Sequence, residues 1–163
     1  MRDTITTARL LLVPFTMIDV DRLLNGIRQP DWSPGYPTEG DLEIAQMVAQ
    51  TRADSFADDG FGPYKIVERA SATVIGGAGF VAPPGSDGAV EIGYGLAPEW
   101  RNRDIATEAV RGLLEFAWSH PAVERVVART DPSNIASARV LEKAGMSFVR
   151  IDAGLRYYER LRR

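Results

Sequence analysis

The chain has 163 residues, 45% hydrophobic and 25% charged, the size and balance of one folded domain rather than a disordered segment. Its 19 basic and 22 acidic residues leave a formal charge of -3, which is not the footprint of a general nucleic-acid binder. The absence of cysteine excludes disulfides, thiolate nucleophiles, zinc ribbons and iron–sulfur ligation, and a lone histidine, His120, excludes a site with several His ligands.

The run Arg9-Leu10-Leu11-Leu12-Val13-Pro14 is short, apolar and closed by proline, which predicts a buried or edge strand. Thr16 is an N-cap candidate with Asp19 in the first turn. Ile18, Val20, Leu23, Leu24 and Ile27 outline the apolar face of a helix that Gly26 and Pro30 end. Residues 29–37 hold three prolines and a glycine and read as a loop with Trp32 and Tyr36 as exposed-looking aromatics. Thr38, with Asp41, caps a second helix on which Leu42, Ala45, Val48 and Ala49 recur at helical spacing.

From Pro63 the period becomes extended. Tyr64–Glu68, Thr73–Val81 and Ala89–Leu96 predict three antiparallel strands joined by hairpin turns, and the glycines inside the second and third predict bulges or close backbone approach. Ala106, Val110, Leu113, Leu114 and Ala117 mark a helix, followed by a strand over Val123–Thr130. A further helix over Asn134–Ala144 has Ile135, Ala138 and Leu141 inward and Gly145 at its C-terminus. Extended segments Phe148–Ile151 and Leu155–Leu161 close the chain. This succession predicts the α/β class, with a mixed, mostly antiparallel sheet flanked by helices, in one domain over 1–163. His120, between a helical and a strand pattern, reads as a polar residue at a helix C-terminus rather than a catalytic group. No apolar run reaches the roughly 20 residues that span a bilayer, and Met1–Thr6 does not open a signal peptide, so a cytoplasmic protein without membrane association is expected.

The chemistry concentrates between Ile92 and Ala109. A strand enters a tight loop carrying Arg101 and Arg103, and a helix begins at once. Such a junction aims unpaired amides and the positive end of a helix dipole at whatever lies in front, the generic way to hold phosphates. The stretch resembles the acetyl-CoA pyrophosphate loop of the GNAT superfamily of N-acetyltransferases, Arg/Gln-x-x-Gly-x-Gly/Ala, through Arg101, Ala106 and the flanking Thr107-Glu108-Ala109. Residues 131–146 resemble the family's second cofactor motif, Asn-x-x-Ser followed by Leu-Glu-Lys-x-Gly-Phe, through Asn134, Ser137 and Leu141-Glu142-Lys143-Ala144-Gly145. Residues 7–16 and Glu91-Ile92-Gly93-Tyr94 are similar to the Rim-type branch, which acetylates protein N-termini and diverse small amines. The likeness covers essentially the whole chain. Asn102 and Asp104 stand where the family commonly has glycine. Both tolerate positive φ, so the turn is expected to survive. A carboxylate facing phosphates is repelled unless Arg101 and Arg103 offset it or it caps the helix, so a weakened cofactor site is also an expectation.

The resemblance implies transfer of an acetyl group from acetyl-CoA directly to a primary amine, on a small molecule or a protein N-terminus, without a metal. It implies a cofactor site built from Leu96, Ala97, Arg101, Asn102, Arg103, Asp104, Ile105, Ala106, Thr107, Asn134 and Lys143. Amides around Gly95, Leu96 and Ala97 would be freed where the third strand splays from the next. Glu91 is the candidate base, although alternation with Val90, Ile92 and Tyr94 equally makes it an outward strand residue. The family's acid tyrosine falls on Leu141, so Ser137 is the substitute candidate, or else a first-turn serine satisfied by backbone. Lys143 either reaches the nucleotide end of the cofactor or is a solvated helix lysine. Trp32 and Tyr36, with Asp31, Glu39 and Asp41 near in sequence, form either an aromatic, acidic mouth for a cationic amine or a buried anchor under a loop. Two other readings stand beside the acetyltransferase: a transferase using another short acyl-CoA, and a non-catalytic binding module with an impaired cofactor site. A homodimer is expected if Leu155–Leu161 is left as a free strand edge.

Overall fold

The computed structural model describes residues 2–51 and 59–163, so Met1 lies outside it. In chain order the elements are β1 (Ile5–Thr6), β2 (Leu10–Pro14), α1 (Met17–Leu24), α2 (Glu39–Gln50), β3 (Pro63–Glu68), β4 (Thr73–Phe80) and β5 (Ala89–Leu96). A 3-10 turn over Pro98–Trp100 leads into α3 (Ile105–Trp118), β6 (Arg125–Thr130), α4 (Ile135–Lys143), β7 (Ser147–Asp152) and β8 (Leu155–Leu161). The strands form one eight-stranded sheet in the order β1-β2-β3-β4-β5-β6-β8-β7. Its neighbours are antiparallel except β5 and β6, which run parallel. The predicted mixed, mostly antiparallel sheet with flanking helices is therefore the observed fold.

Helix α3 supplies the main core. Ala109, Val110, Leu113, Leu114 and Ala117 are buried against Leu12, Ile66, Ile75, Val90 and Ile92 of the sheet. A second core joins Val20 and Leu23 of α1 and Ala45 and Val48 of α2 to Phe15, Tyr36, Val74 and Ala97. Helix α4 ends in a Schellman turn: Met146 N–H bonds the Leu141 carbonyl at 3.0 Å and Gly145 N–H bonds Glu142 at 2.9 Å. Gly145, at φ 87°, is the residue that permits that reversal.

Three sequence expectations are corrected. Ile18 is 63% exposed and Leu24 and Ile27 also face solvent, because α1 ends at Leu24 and only Val20 and Leu23 of the five expected positions reach the core. Ile135, at the first position of α4, is likewise exposed, ahead of the turn that meets the sheet. The segment Leu155–Leu161 is not a free edge, because β8 is paired on both sides by β6 and β7; β7 is the outer strand.

Helices α1 and α2 begin with the same device. Thr16 and Asp19, and Thr38 and Asp41, each form a complete capping box in which threonine and aspartate exchange hydrogen bonds. Their electrostatics differ. Burial alone would raise Asp19, but Lys65 Nζ at 2.8 Å and the Thr16 bonds outweigh it and hold the carboxyl below its ordinary value. Asp41 pairs with no cation among the described residues, and burial raises it despite its Thr38 bonds. Asp19→Asn is therefore expected to cost about 2 kcal/mol in urea unfolding at pH 7, and Asp41→Asn less than about 1. The contribution of Asp19 is present above the ordinary carboxylate value, so the wild-type advantage over Asp19→Asn should disappear as pH falls through its lowered value.

Candidate active site

Strands β5 and β6 pair only over Ala89–Glu91 and Arg125–Val127 and then diverge, while β5 stays paired to β4 through Leu96. The Glu91 carbonyl accepts from Val81 and the Ala97 N–H donates to Ile75, so odd-numbered residues of β5 turn their backbone groups toward β4. Ladder alternation then turns the N–H and C=O of Tyr94 and Leu96 into the gap. This corrects the sequence expectation at Ala97, whose amide is spent on β4 and whose side chain is wholly buried.

A cleft of about 590 Å³ opens at this gap between the starts of α3 and α4. Of the expected residues it brings together Leu96, Arg101, Asn102, Asp104, Ile105, Ala106, Thr107, Asn134, Ser137 and Lys143. Asn102 and Asp104 hold φ of 62° and 56°, so the turn survives without glycine as their conformational tolerance predicts. Ile105, Ala106 and Thr107 are the first three residues of α3, and their amides have no intrahelical acceptor. Arg101 Nε is anchored on the Leu96 carbonyl at 3.2 Å, which leaves the rest of its guanidinium to the cleft. Thr107 is 3% exposed and its Oγ1 is buried with no hydrogen-bond partner.

Asp104 does not cap α3 with its side chain. Its carboxylate instead meets Lys143 Nζ at 2.8 Å, a contact that lowers its pKa. The charge that would repel a phosphate is thus neutralised by a lysine on the facing helix, not by Arg103. Arg103 stacks over Trp100 at 5.1 Å and is absent from the cleft wall, a correction to its expected role. Asp104→Gly should fit the left-handed backbone at least as well and free Lys143, tightening the binding of CoA roughly tenfold. Lys143→Ala should weaken it by a similar factor. Calorimetric titration of both variants checks the pair.

The Thr7-Ala8-Arg9 and Thr107-Glu108-Ala109 segments meet through Glu108, outside the cleft wall. Glu108 Oε1 accepts from Thr7 Oγ1 at 2.6 Å and Arg9 N at 2.7 Å, while Arg9 reaches Glu108 Oε2 at 2.6 Å and the Arg103 carbonyl at 3.0 Å. This lock fixes the turn whose amides face the cleft. Burial raises Glu108 on its own, but these donors hold its carboxyl below the ordinary value.

Glu91 is outside the cleft wall, on the β5 face opposite Val90 and Ile92, and its carboxylate meets Arg129 Nε at 3.4 Å. It shares that face with Gly93 and Gly95, at which an added Cβ would find nothing within 4 Å. Trp32 and Tyr36 are outside the cleft wall. Tyr36 is 1% exposed and belongs to the second core, so it is the buried anchor rather than part of an open mouth; burial, with Asp41, Asp19 and Asp31, pushes its hydroxyl pKa up. Trp32 is half-buried and edge-on to Tyr36 at 5.2 Å. Their loop is pinned at both ends. Arg28 donates to the carbonyls of Ser33 and Tyr36, each at 2.7 Å, and Glu99 accepts from Gly35 N at 2.6 Å and from Ser33 Oγ.

Sequence reasoning pointed to the backbone at Gly95 and missed Tyr94, Ala136, Arg139 and Val140 in the cleft wall. Spacing carried a signal for Ala136, Arg139 and Val140, which share the first turns of α4 with Asn134 and Ser137. Tyr94 carried none, because its alternation with Val90 and Ile92 marks it as core. The structure packs its partly buried ring against the main core but brings its Oη to 2.7 Å from Ser137 Oγ and 3.2 Å from the Ser137 carbonyl. The Ser137 amide is capped by Asn134 Oδ1 at 3.0 Å, so the partner of the serine hydroxyl is a side chain and not backbone. Leu141 is wholly buried. Among the described residues no group of side chains could hold a metal ion, and no helix is long and apolar enough to cross a membrane.

Comparison with known proteins agrees with this geometry. The model of the acetyltransferase (GNAT) domain matches residues 9–147. The chain is 29% identical over 117 residues to the uncharacterized N-acetyltransferase YjdG of Bacillus subtilis, covering 68% of this chain and 70% of that one. An acetyltransferase structure from Agrobacterium tumefaciens aligns with a TM-score of 0.71 at 25% identity, covering 98% and 95% of the two chains. The ribosomal L7/L12 α-N-protein acetyltransferase RimL, solved in complex with coenzyme A, shares the fold with a TM-score of 0.72 at 19% identity and 98% coverage of both. With a family match over most of its length, the chain belongs to the GNAT family of acetyltransferases.

Proposed function

We propose that the protein transfers an acetyl group from acetyl-CoA to a primary amine by direct attack. The observation that carries this reading is the unmatched donor set at the head of α3. Three amides and the Arg101 guanidinium face one cleft, the buried, partnerless Thr107 Oγ1 sits within its wall, and a diphosphate supplies acceptors that this set lacks. The Lys143 contact with Asp104 supports the reading over a non-catalytic module, because it offsets part of the carboxylate's repulsion of that ligand.

The bound donor supplies an activated thioester. Residues of this chain do the rest. Arg101, Thr107 and the α3 amides hold the diphosphate end, and the N–H groups of Tyr94 and Leu96 in the gap are placed to bond the arm and polarise a carbonyl. Glu91, beside the open glycine face, takes the proton that the ammonium must lose before it attacks, directly or through water. Ser137, on the cleft side, offers its hydroxyl proton to the departing sulfur. The acceptor approaches over Gly93 and Gly95, whose missing side chains leave the space for it. The names of two structural neighbours, the ribosomal-protein acetyltransferase and an aminoglycoside acetyltransferase, define the two ends of the acceptor range to be tested.

The test is thiol release from acetyl-CoA in the presence of an alanine-leading peptide, spermidine or ribostamycin, with propionyl-CoA as the competing donor. Amine-dependent release with a mass gain of one acetyl group supports the reading. Release with propionyl-CoA alone would assign another donor, and no release with any pair would contradict acyl transfer.

A further inference from the structure

We propose that Tyr94 is the positioning residue of the leaving-group step: its hydroxyl donates to Ser137 Oγ and so turns the serine's own proton into the cleft. This rests on the acetyl-transfer reading above. Two hydroxyls 2.7 Å apart share two protons, and that contact allows two arrangements, one keeping and one giving up the Tyr94 bond to the Ser137 carbonyl. In one, Ser137 donates to Tyr94 Oη and Tyr94 donates to the Ser137 carbonyl at 3.2 Å, which leaves no proton facing the cleft. In the other, Tyr94 donates to Ser137 Oγ, and the serine proton is free for a ligand. Both residues line the cleft, so a sulfur that gathers negative charge there selects the second arrangement.

The surroundings keep the pair in that role. Asn134 Oδ1 holds the Ser137 amide at 3.0 Å and fixes the first turn of α4. Tyr94 is anchored through its partly buried ring against the main core, at the point where β5 has already left β6. Burial, together with nearby Tyr158 and against the Ser137 bond, pushes the Tyr94 hydroxyl up to about 12, so it remains a donor throughout the neutral range. The reaction balances without a further reagent. The C–N bond forms as the C–S bond breaks, the amine sheds its surplus proton to Glu91 or water, and the sulfur leaves as a thiolate against the Ser137 proton. The thiolate then takes up the equivalent proton from water, while Tyr94 and Ser137 keep theirs. The orienting hydroxyl thus comes from strand β5, while helix α4 supplies Ser137 and carries the buried Leu141.

A double-mutant cycle tests this, measured with acetyl-CoA and whichever of the alanine-leading peptide or ribostamycin turns over faster. Tyr94→Phe should lower kcat roughly tenfold with the KM for acetyl-CoA within about twofold, because the ring and its packing stay. In a Ser137→Ala background the same change should have no further effect, since there is no hydroxyl left to orient. Ser137→Thr, which keeps a hydroxyl, should recover most of the rate lost in Ser137→Ala. Unchanged kcat in Tyr94→Phe, losses that multiply in the double variant, or a raised KM with normal kcat would each overturn the proposal. If Tyr94→Phe does not fold, failure of Ser137→Thr to recover the rate would overturn it. A wild-type enzyme inactive with every amine sinks the acetyl-transfer reading and the proposal with it, whereas an active wild type and an equally active Tyr94→Phe sink the proposal alone.

Discussion

Gly76→Ala should cost the chain about 3 kcal/mol or more of stability, whereas Gly95→Ala, one residue from its register partner on the next strand, should be as stable as the parent. A Cβ at Gly76 would run into the Gly95 carbonyl oxygen and come within 3.0 Å of Leu96 Cα. Both are backbone atoms of the paired strand β5 and have no rotamer with which to retreat. Overpacking of a buried site typically costs about 1–3 kcal/mol, and a clash with immobile backbone belongs at or above the upper end of that range. A domain with only about 5–15 kcal/mol in hand is brought close to failure. At Gly95 an added Cβ meets nothing within 4 Å, so stability is unaffected. Gly95→Leu should keep the parent's melting temperature yet lose acetyl transfer, because the side chain would occupy the space assigned to the acceptor. Thermal melts and thiol release on the three variants check these outcomes. A stable Gly76→Ala would show that the β4–β5 ladder is looser than described.

Glu91→Gln should lower kcat about a hundredfold, the lower range for removing a positioned general base. Affinity for acetyl-CoA should not change, because Glu91 is outside the cleft wall. Glutamine preserves the shape and the reach toward Arg129 but cannot take up a proton. The loss should therefore shrink as pH rises and solution deprotonates more of the amine. Equal pH–rate curves for the two proteins would remove Glu91 from the mechanism.

Much of this architecture was legible because it depends on local chemistry. The two Thr-x-x-Asp boxes, the glycine after α4 and the hairpins of β3, β4 and β5 are decided within a few residues, and each stands where spacing put it. The turn before α3 was also legible despite its departure from glycine, since Asn and Asp are the residues that accept φ near 60°. What escaped depends on contacts between distant segments. Nothing local shows that Lys143, 39 residues on, neutralises Asp104, or that Trp100 draws Arg103 out of the cleft. Tyr36 reads as a loop aromatic until Arg28 and Glu99 are seen to pull its loop down onto the second core. Residues 155–161 look like a chain-terminal edge, but the type of hairpin that ends the fold inserts them between β6 and β7. Tyr94 is the plainest case, because one side chain serves the core with its ring and the cleft with its hydroxyl.

The central claim is that the head of α3 is a diphosphate site that holds an acyl-CoA. Its most direct test is calorimetric titration of acetyl-CoA into the parent protein and into Arg101→Ala and Thr107→Val, beside the arm of the ligand that lacks the nucleotide and diphosphate, acetyl-pantetheine. The account predicts saturable binding to the parent, roughly tenfold weaker binding to each variant as one donor to the diphosphate is lost, and little or no binding of acetyl-pantetheine. No saturable heat with acetyl-CoA at millimolar concentration, or equal affinity in all three proteins, would contradict it.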